Sequence, residues 1–214
     1  LKISYGITVH NEADELNRLL ETLIHKTDVE DEIVICVDGN DEKVQEVIMS
    51  WVQQYGSDDI DKKKDIIVYN RKLENDFAAH KNSVIEKSTG DYIFHIDADE
   101  YPSDALLLHM KPILEANDID LIWVPRINTV DGLTESHIQK WGWKVTENGW
   151  VNYPDYQARI FKRDKDIKWI KPVHEIISGA NTYSHLPPNE TLSLYHPKTI
   201  DKQEKQNALY ESII

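Results

Sequence analysis

A single cysteine, Cys36, excludes an internal disulfide, and its place in the apolar run 33–37 marks it as a packed core residue rather than a nucleophile. A reducing compartment is therefore expected, with the cytoplasm as the default. Glycine is also scarce, with eight in 214 residues and none grouped into a glycine-rich turn. Neither G-x-G-x-x-G nor G-x-x-x-x-G-K-[ST] occurs, which excludes a phosphate cradle built from backbone amides. No stretch approaches the roughly 18 apolar residues of a membrane span. The N-terminal segment 1–9 is too short for a signal peptide. A soluble protein, at most peripheral to a membrane, is expected. Internal repeats and low-complexity linkers are absent. Positive charge is in deficit, 24 Lys and Arg against 38 Asp and Glu, for a formal net charge of -14. Such a surface repels nucleic-acid phosphates, so nucleic-acid binding is not expected. It also repels a small phosphorylated ligand unless a metal or a local Lys/Arg group supplies the attraction.

A hydrophobic content of 40% and a charged content of 29% suit one soluble domain over residues 1–214. Strands are expected at 3–9, 33–37, 66–69 and 92–96. Helices are expected between them, with Leu16, Leu19, Leu20, Leu23 and Ile24 forming the first apolar stripe and Asn11 its cap. Val44, Val47, Ile48, Trp51 and Val52 form the second stripe, a polar loop spans Gly56 to Lys64, and Phe77 to Lys87 reads as a third helix. Continuous apolar strands alternating with helices predict an α/β fold, a mostly parallel sheet flanked by helices. In such sheets the ligand sits at the carboxyl ends of the strands. The polar clusters at 8–11, 38–41 and 97–99 would share that edge. Beyond residue 100 a helix is expected over 106–115 and a strand over 121–125. An irregular, Trp-rich stretch follows over 126–177, containing a strand at 157–162. A short strand at 191–195 and a closing helix over 200–213 complete the chain. That last helical pattern has no clear stop, as in a fragment of a longer protein.

The run Gly90-Asp91-Tyr92-Ile93-Phe94-His95-Ile96 ends in Asp97-Ala98-Asp99-Glu100. Period-two geometry puts Asp97 and Asp99 on one side of an extended chain. Side by side, two carboxylates repel unless a cation lies between them or one holds a proton. Carboxylates without sulfur or imidazole in the motif favour a hard cation, Mg2+ or Mn2+. A solvated acidic turn is the plainer alternative. A haloacid-type phosphatase carries its Asp-x-Asp after the first strand, not the fourth. A sugar-phosphate nucleotidyltransferase needs a glycine-rich opening turn, which Thr8-Val9-His10-Asn11-Glu12 is not.

The ordered set of motifs resembles the family 2 glycosyltransferases. Ile7-Thr8-Val9-His10-Asn11-Glu12, Asp31-Glu32-Ile33-Val34-Ile35-Cys36-Val37-Asp38, Asp76-Phe77-Ala78-Ala79-His80-Lys81-Asn82 and Asp97-Ala98-Asp99-Glu100 carry the resemblance over residues 3–101. Lys81 stands where the family usually has Arg, which loses bidentate geometry. Asp38-Gly39-Asn40-Asp41 is one residue shorter than the usual loop. The second half is similar to glycosyltransferases related to those of the lipopolysaccharide core. Tyr156-Gln157-Ala158-Arg159-Ile160-Phe161, Pro172-Val173-His174-Glu175 and Tyr195-His196-Pro197 carry that likeness.

The resemblance implies the GT-A fold, with a nucleotide-sugar half (1–101) and an acceptor half (102–214). It implies metal-dependent, inverting transfer of a sugar, from a UDP-sugar such as UDP-glucose, to a hydroxyl of a glycan, protein or lipid acceptor. Thr8, Val9, His10, Asn11, Glu12, Asp38, Lys81, Asp97, Ala98, Asp99, Lys202 and Lys205 are the candidate donor contacts. Asp99 is the candidate metal ligand, with Asp97 beside it and His196 as a second ligand. Glu175 is the candidate base for the acceptor hydroxyl and Asp155 the alternative. A plain ion pair between Glu175 and Arg159 or a lysine is the competing structural role. Trp141, Trp143 and Trp150 are candidates to stack on acceptor sugar rings, against an ordinary place in the core. A binding domain of the same fold without turnover is the alternative from a different class.

Overall fold

The computed structural model describes residues 1–56, 64–164 and 166–213. Residues 57–63, the middle of the expected polar loop, lie outside the described residues. The first half alternates as β1 (Ile3–Val9), α1 (Ala13–Lys26), β2 (Glu32–Val37), α2 (Glu42–Tyr55), β3 (Asp65–Asn70), α3 (Phe77–Lys87) and β4 (Tyr92–Asp97). The second half adds β5 (Tyr101–Pro102), α4 (Asp104–Ala116), β6 (Leu121–Val124), β7 (Arg126–Asp131), α5 (Glu135–Trp141) and β8 (Gln157–Lys162). It closes with β9 (Lys168–Ile170), β10 (Ile176–Ser178), β11 (Tyr183–His185), β12 (Leu194–Thr199) and α6 (Ile200–Ile213).

The main sheet runs β11-β6-β8-β4-β1-β2-β3. β1 pairs in parallel with β2 and β4, and β2 with β3, whereas β8 runs antiparallel between β4 and β6. Alternation along β1 sends Ile3, Tyr5, Ile7 and Val9 into a core shared with Leu16, Leu19, Leu20 and Leu23 of α1, and with α2 and α4. The other face takes α3. A Cβ on Gly6 would come within 2.5 Å of Val84 Cγ1, so this helix lies on the sheet where β1 offers no side chain.

The fold departs from the expected elements at three places. The expected strand over 121–125 is the first of two, because Pro125 ends β6 and the chain continues as β7 in a separate sheet ordered β5-β12-β7. Residues 190–192 form a 3-10 turn, and the strand starts at Leu194. Asn11 does not cap α1. Glu12 holds that position, and its Oε2 accepts the backbone N–H groups of His10 and Asn11 at 2.9 and 3.1 Å.

Candidate active site

The ends of β1, β2 and β4 meet the start of α3 at one edge. There Thr8, Val9, His10, Glu12, Asp38, Lys81, Asp97, Ala98 and Asp99 line an open pocket of about 170 Å³. Leu73, Phe77 and His80 complete it and were not anticipated. A signal for two of them existed, since positions 77, 80 and 81 share one helical face. Asn11 is exposed and lines none of the pockets described below. Asp38 follows β2 and is held in place from two sides. Its Oδ1 accepts the Leu73 N–H at 3.0 Å, and its Oδ2 lies 3.2 Å from His10 Nδ1.

Lys81, Asp97 and Asp99 also face a second cavity, of about 540 Å³, into which Arg159, Trp169, Glu175, His196 and Lys198 open. These three residues therefore form the wall between two compartments, with one contributor on α3 and two at the end of β4. The second half reaches them because β8 lies against β4. From β8, Arg159 Nη2 contacts Asp97 Oδ2 and Glu100 Oε1, both at 2.6 Å. Glu100 is fully buried and also accepts from Arg126 Nη1 at 2.7 Å. Burial alone would raise the Asp97 pKa, but the charges of Arg159 and Lys81 hold it well below the usual carboxylate range. His95, fully buried next to it, is pushed by burial to a pKa of about 4 and is neutral.

Lys81 is buried and central. Its Nζ lies 2.8 Å from Glu175 Oε1, 3.5 Å from Asp97 Oδ1 and 4.6 Å from the centroid of the Trp169 ring. Glu175 thus has the lysine partner of its structural alternative, yet it also opens into the larger cavity. The loop before it carries two non-glycine residues at positive φ, Lys171 at 72° and His174 at 55°. Strain of that kind persists where surrounding contacts fix the backbone. Asp155 has a different setting. Its Oδ2 accepts from Arg126 Nε at 2.9 Å, Arg126 Nη2 at 2.6 Å and Asn128 Nδ2 at 2.9 Å, and its Oδ1 accepts from Gln157 at 2.9 Å. Burial would raise its pKa, but Arg126 and these donors lower it. A carboxylate bonded on both oxygens and lining none of these pockets suits an anchor, which sets Asp155 apart from Glu175. Asp155→Asn should lower the unfolding free energy by about 1–3 kcal/mol. Denaturant unfolding measures this, and an unchanged midpoint would contradict the anchor.

Parallel pairing of β12 with β7 sets His196 beside Asn128. Asn128 spends its Nδ2 on Asp155, so its Oδ1 faces His196 Nδ1 at 2.7 Å and accepts a hydrogen bond from it. Burial pushes the His196 pKa down, against the pull of the Asp99 carboxylate. Its Nε2 lies 3.3 Å from Asp99 Oδ2. Burial opposes ionisation of Asp99, but His196 and Lys202 beside it hold its pKa well below the usual range. One imidazole nitrogen and one carboxylate oxygen thus lie side by side, a donor pair that would fit a divalent cation once Nε2 carries no proton. Among the described residues no three His, Cys, Asp or Glu side chains converge on one point. Further ligands would have to come from water or from a bound anion. Asp97 is engaged differently from Asp99, with Oδ2 2.6 Å from Arg159 Nη2 and Oδ1 3.5 Å from Lys81 Nζ. Lys202 Nζ lies 3.5 Å from Asp99 Oδ2 and 3.1 Å from Glu15, whereas Lys205 is exposed and lines none of the three pockets.

A third pocket, of about 300 Å³, adjoins the second at Arg126, His196, Lys198 and Gln206, and Trp143 lines it. Trp141 packs on Trp143 with ring centroids 4.6 Å apart, and Trp150 packs on Tyr153 at 4.8 Å. All three Trp residues are half-exposed and lie outside the core. No helix among the described residues is long and apolar enough to cross a membrane.

Residues 4–185 match the model of a protein family described as Glycosyl transferase family 2. The poly(ribitol-phosphate) beta-glucosyltransferase of Bacillus spizizenii is 28% identical over 123 residues, which cover 56% of this chain and 18% of that protein. The SPbeta prophage-derived glycosyltransferase SunS of Bacillus subtilis is 26% identical over 200 residues, 91% of this chain and 39% of that protein. The matched stretches are therefore well under half the length of these relatives. Among solved structures, S. aureus TarS 1–349 superposes with a TM-score of 0.62 at 16% identity, covering 92% of this chain and 60% of that one. The same fragment in complex with UDP-GlcNAc gives the same TM-score, a likeness of fold.

Proposed function

The chain belongs to glycosyl transferase family 2, and from that premise we propose that it transfers a sugar from a UDP-sugar to an acceptor hydroxyl, with inversion and with a divalent cation. The observation that carries the reading is the wall of Lys81, Asp97 and Asp99 between two pockets, with Glu175 opening into the larger one. Base and ribose occupy the smaller pocket, the sugar and acceptor the larger, and the diphosphate lies across the wall. The UDP-GlcNAc complex of TarS, a protein of similar fold, supports the choice of donor.

Roles follow from the contacts. Asp38 accepts a hydrogen bond from the base or ribose. Asp97, fixed by Arg159, orients Lys81. Asp99 Oδ2 and His196 Nε2 would hold Mn2+ or Mg2+, the imidazole favouring manganese. Bound there, the cation supplies Lewis-acid neutralisation of the charge growing on the leaving diphosphate. Lys81 and Lys202 place ammonium charge on the same diphosphate. Without donor, Lys81 is paired with Glu175, its Nζ 2.8 Å from Oε1. A diphosphate competes for that ammonium and frees the carboxylate to take the acceptor proton. Donor binding and base activation are thereby coupled.

Incubation with radiolabelled UDP-sugars and manganese tests the reading, with sugar released to water as the minimal signal. Binding of UDP-sugar without any turnover would favour the silent binding domain instead. Asp38→Ala should weaken UDP binding by about 1–3 kcal/mol, the usual cost of a lost buried polar partner. Calorimetry checks this, and equal affinity would place Asp38 outside the nucleotide site.

A further inference from the structure

The third pocket differs in charge from the rest of the molecule. The chain has 38 acidic residues, yet no Asp or Glu is among those lining this cavity of about 300 Å³. Arg126, Asn128, Asn152, Lys198, Gln203 and Gln206 supply its polar surface, and Trp143 supplies an aromatic face. The two cations are not equivalent. Arg126 is already matched by Glu100 and Asp155. Lys198 is not, since its Nζ donates to the neutral Gln206 Oε1 at 2.6 Å and no carboxylate of the described residues lies within 4.0 Å of it.

The placement is built by the fold. His196 and Lys198 alternate onto one face of β12, and Lys198 pairs in register with Val130 of β7. α6 then covers the strand and brings Gln206 onto the amine. Because Lys198 and His196 line both the second and third pockets, the ammonium stands where an acceptor passes from one to the other. A half-buried ammonium without a carboxylate is stabilised by an anion that arrives with the ligand. Amide side chains and an indole face suit hydroxyls and C–H groups around it.

We propose that this pocket is the acceptor subsite and that it selects an anionic, hydroxyl-bearing acceptor, its phosphate or carboxylate held by Lys198. The inference rests on the donor reading above, since it takes the 540 Å³ cavity as the place of transfer.

Glucose 6-phosphate, glucuronate and glucose are titrated by protein NMR into the full chain, with and without UDP and Mg2+. Glucose 6-phosphate reads a phosphate preference and glucuronate a carboxylate preference. At least one anion should bind about tenfold more tightly than glucose, the worth of a charge-assisted contact. The advantage should vanish in Lys198→Gln and return in Lys198→Arg, which restores the charge on a similar stem. Glucose binding as tightly as both anions, with undetectable binding of all three included, overturns the proposal. Survival of the preference in Lys198→Gln does so too, as does displacement of UDP by the anions, which would place the amine on the donor. Failure of UDP to bind the parent protein sinks the donor reading, while the comparison without UDP still reads the anion preference.

Discussion

Replacing Glu175 by glutamine is expected to cut sugar transfer by about 10²–10⁴, the usual worth of a positioned general base, without weakening donor binding. Glutamine keeps the shape and one acceptor oxygen for Lys81 Nζ, which lies 2.8 Å from Glu175 Oε1. It cannot take a proton. The side chain opens into the larger cavity and not into the nucleotide pocket, so binding and chemistry should separate. Product formation with a working acceptor and calorimetry with the donor are measured on the same preparation. If Glu175→Gln transfers at the parent rate while Asp155→Asn is dead, the base is Asp155 and its role as an anchor is wrong.

Asp99→Asn should behave in the opposite way, losing donor binding and transfer together. Even outer partners of a metal ligand are worth roughly 10–100-fold in metal affinity. Loss of a direct ligand should therefore lower cation-dependent UDP affinity by at least about 100-fold. The residual binding should no longer respond to manganese. Lys202, 3.5 Å from Asp99 Oδ2, would lose one of its two carboxylate partners but keep Glu15, so the helix α6 should stay docked. Thermal unfolding verifies that, and a variant that keeps manganese-dependent UDP binding would place the ligand elsewhere.

The first half was legible because each element there carries its own signal. Helix α3 and strand β1 have the expected bounds, Phe77–Lys87 and Ile3–Val9, and β2, β3 and β4 extend the expected strands by one residue at an end or at both. The edge that gathers Thr8, Asp38, Lys81, Asp97 and Asp99 follows from parallel order alone. The second half hid more. Arg126 and Lys198 meet only because β7 and β12 pair in a small separate sheet, from strands 68 residues apart in the paired positions Arg126 and Leu194. No local period announces such a pairing. Asp155 looked available as a base because sequence does not reveal that Arg126, Asn128 and Gln157 converge on it. Glu100, read as one acid in a motif, is a buried junction between two arginines.

UDP titrated calorimetrically into the parent protein, once with manganese and once with excess chelator, tests the central claim most directly. The pocket of Asp38 and Lys81 and the Asp99–His196 donor pair together predict binding that depends on the cation. Strong binding with manganese and a large loss in chelator would agree with it. Undiminished affinity in chelator, or no binding of UDP in either condition, would contradict it.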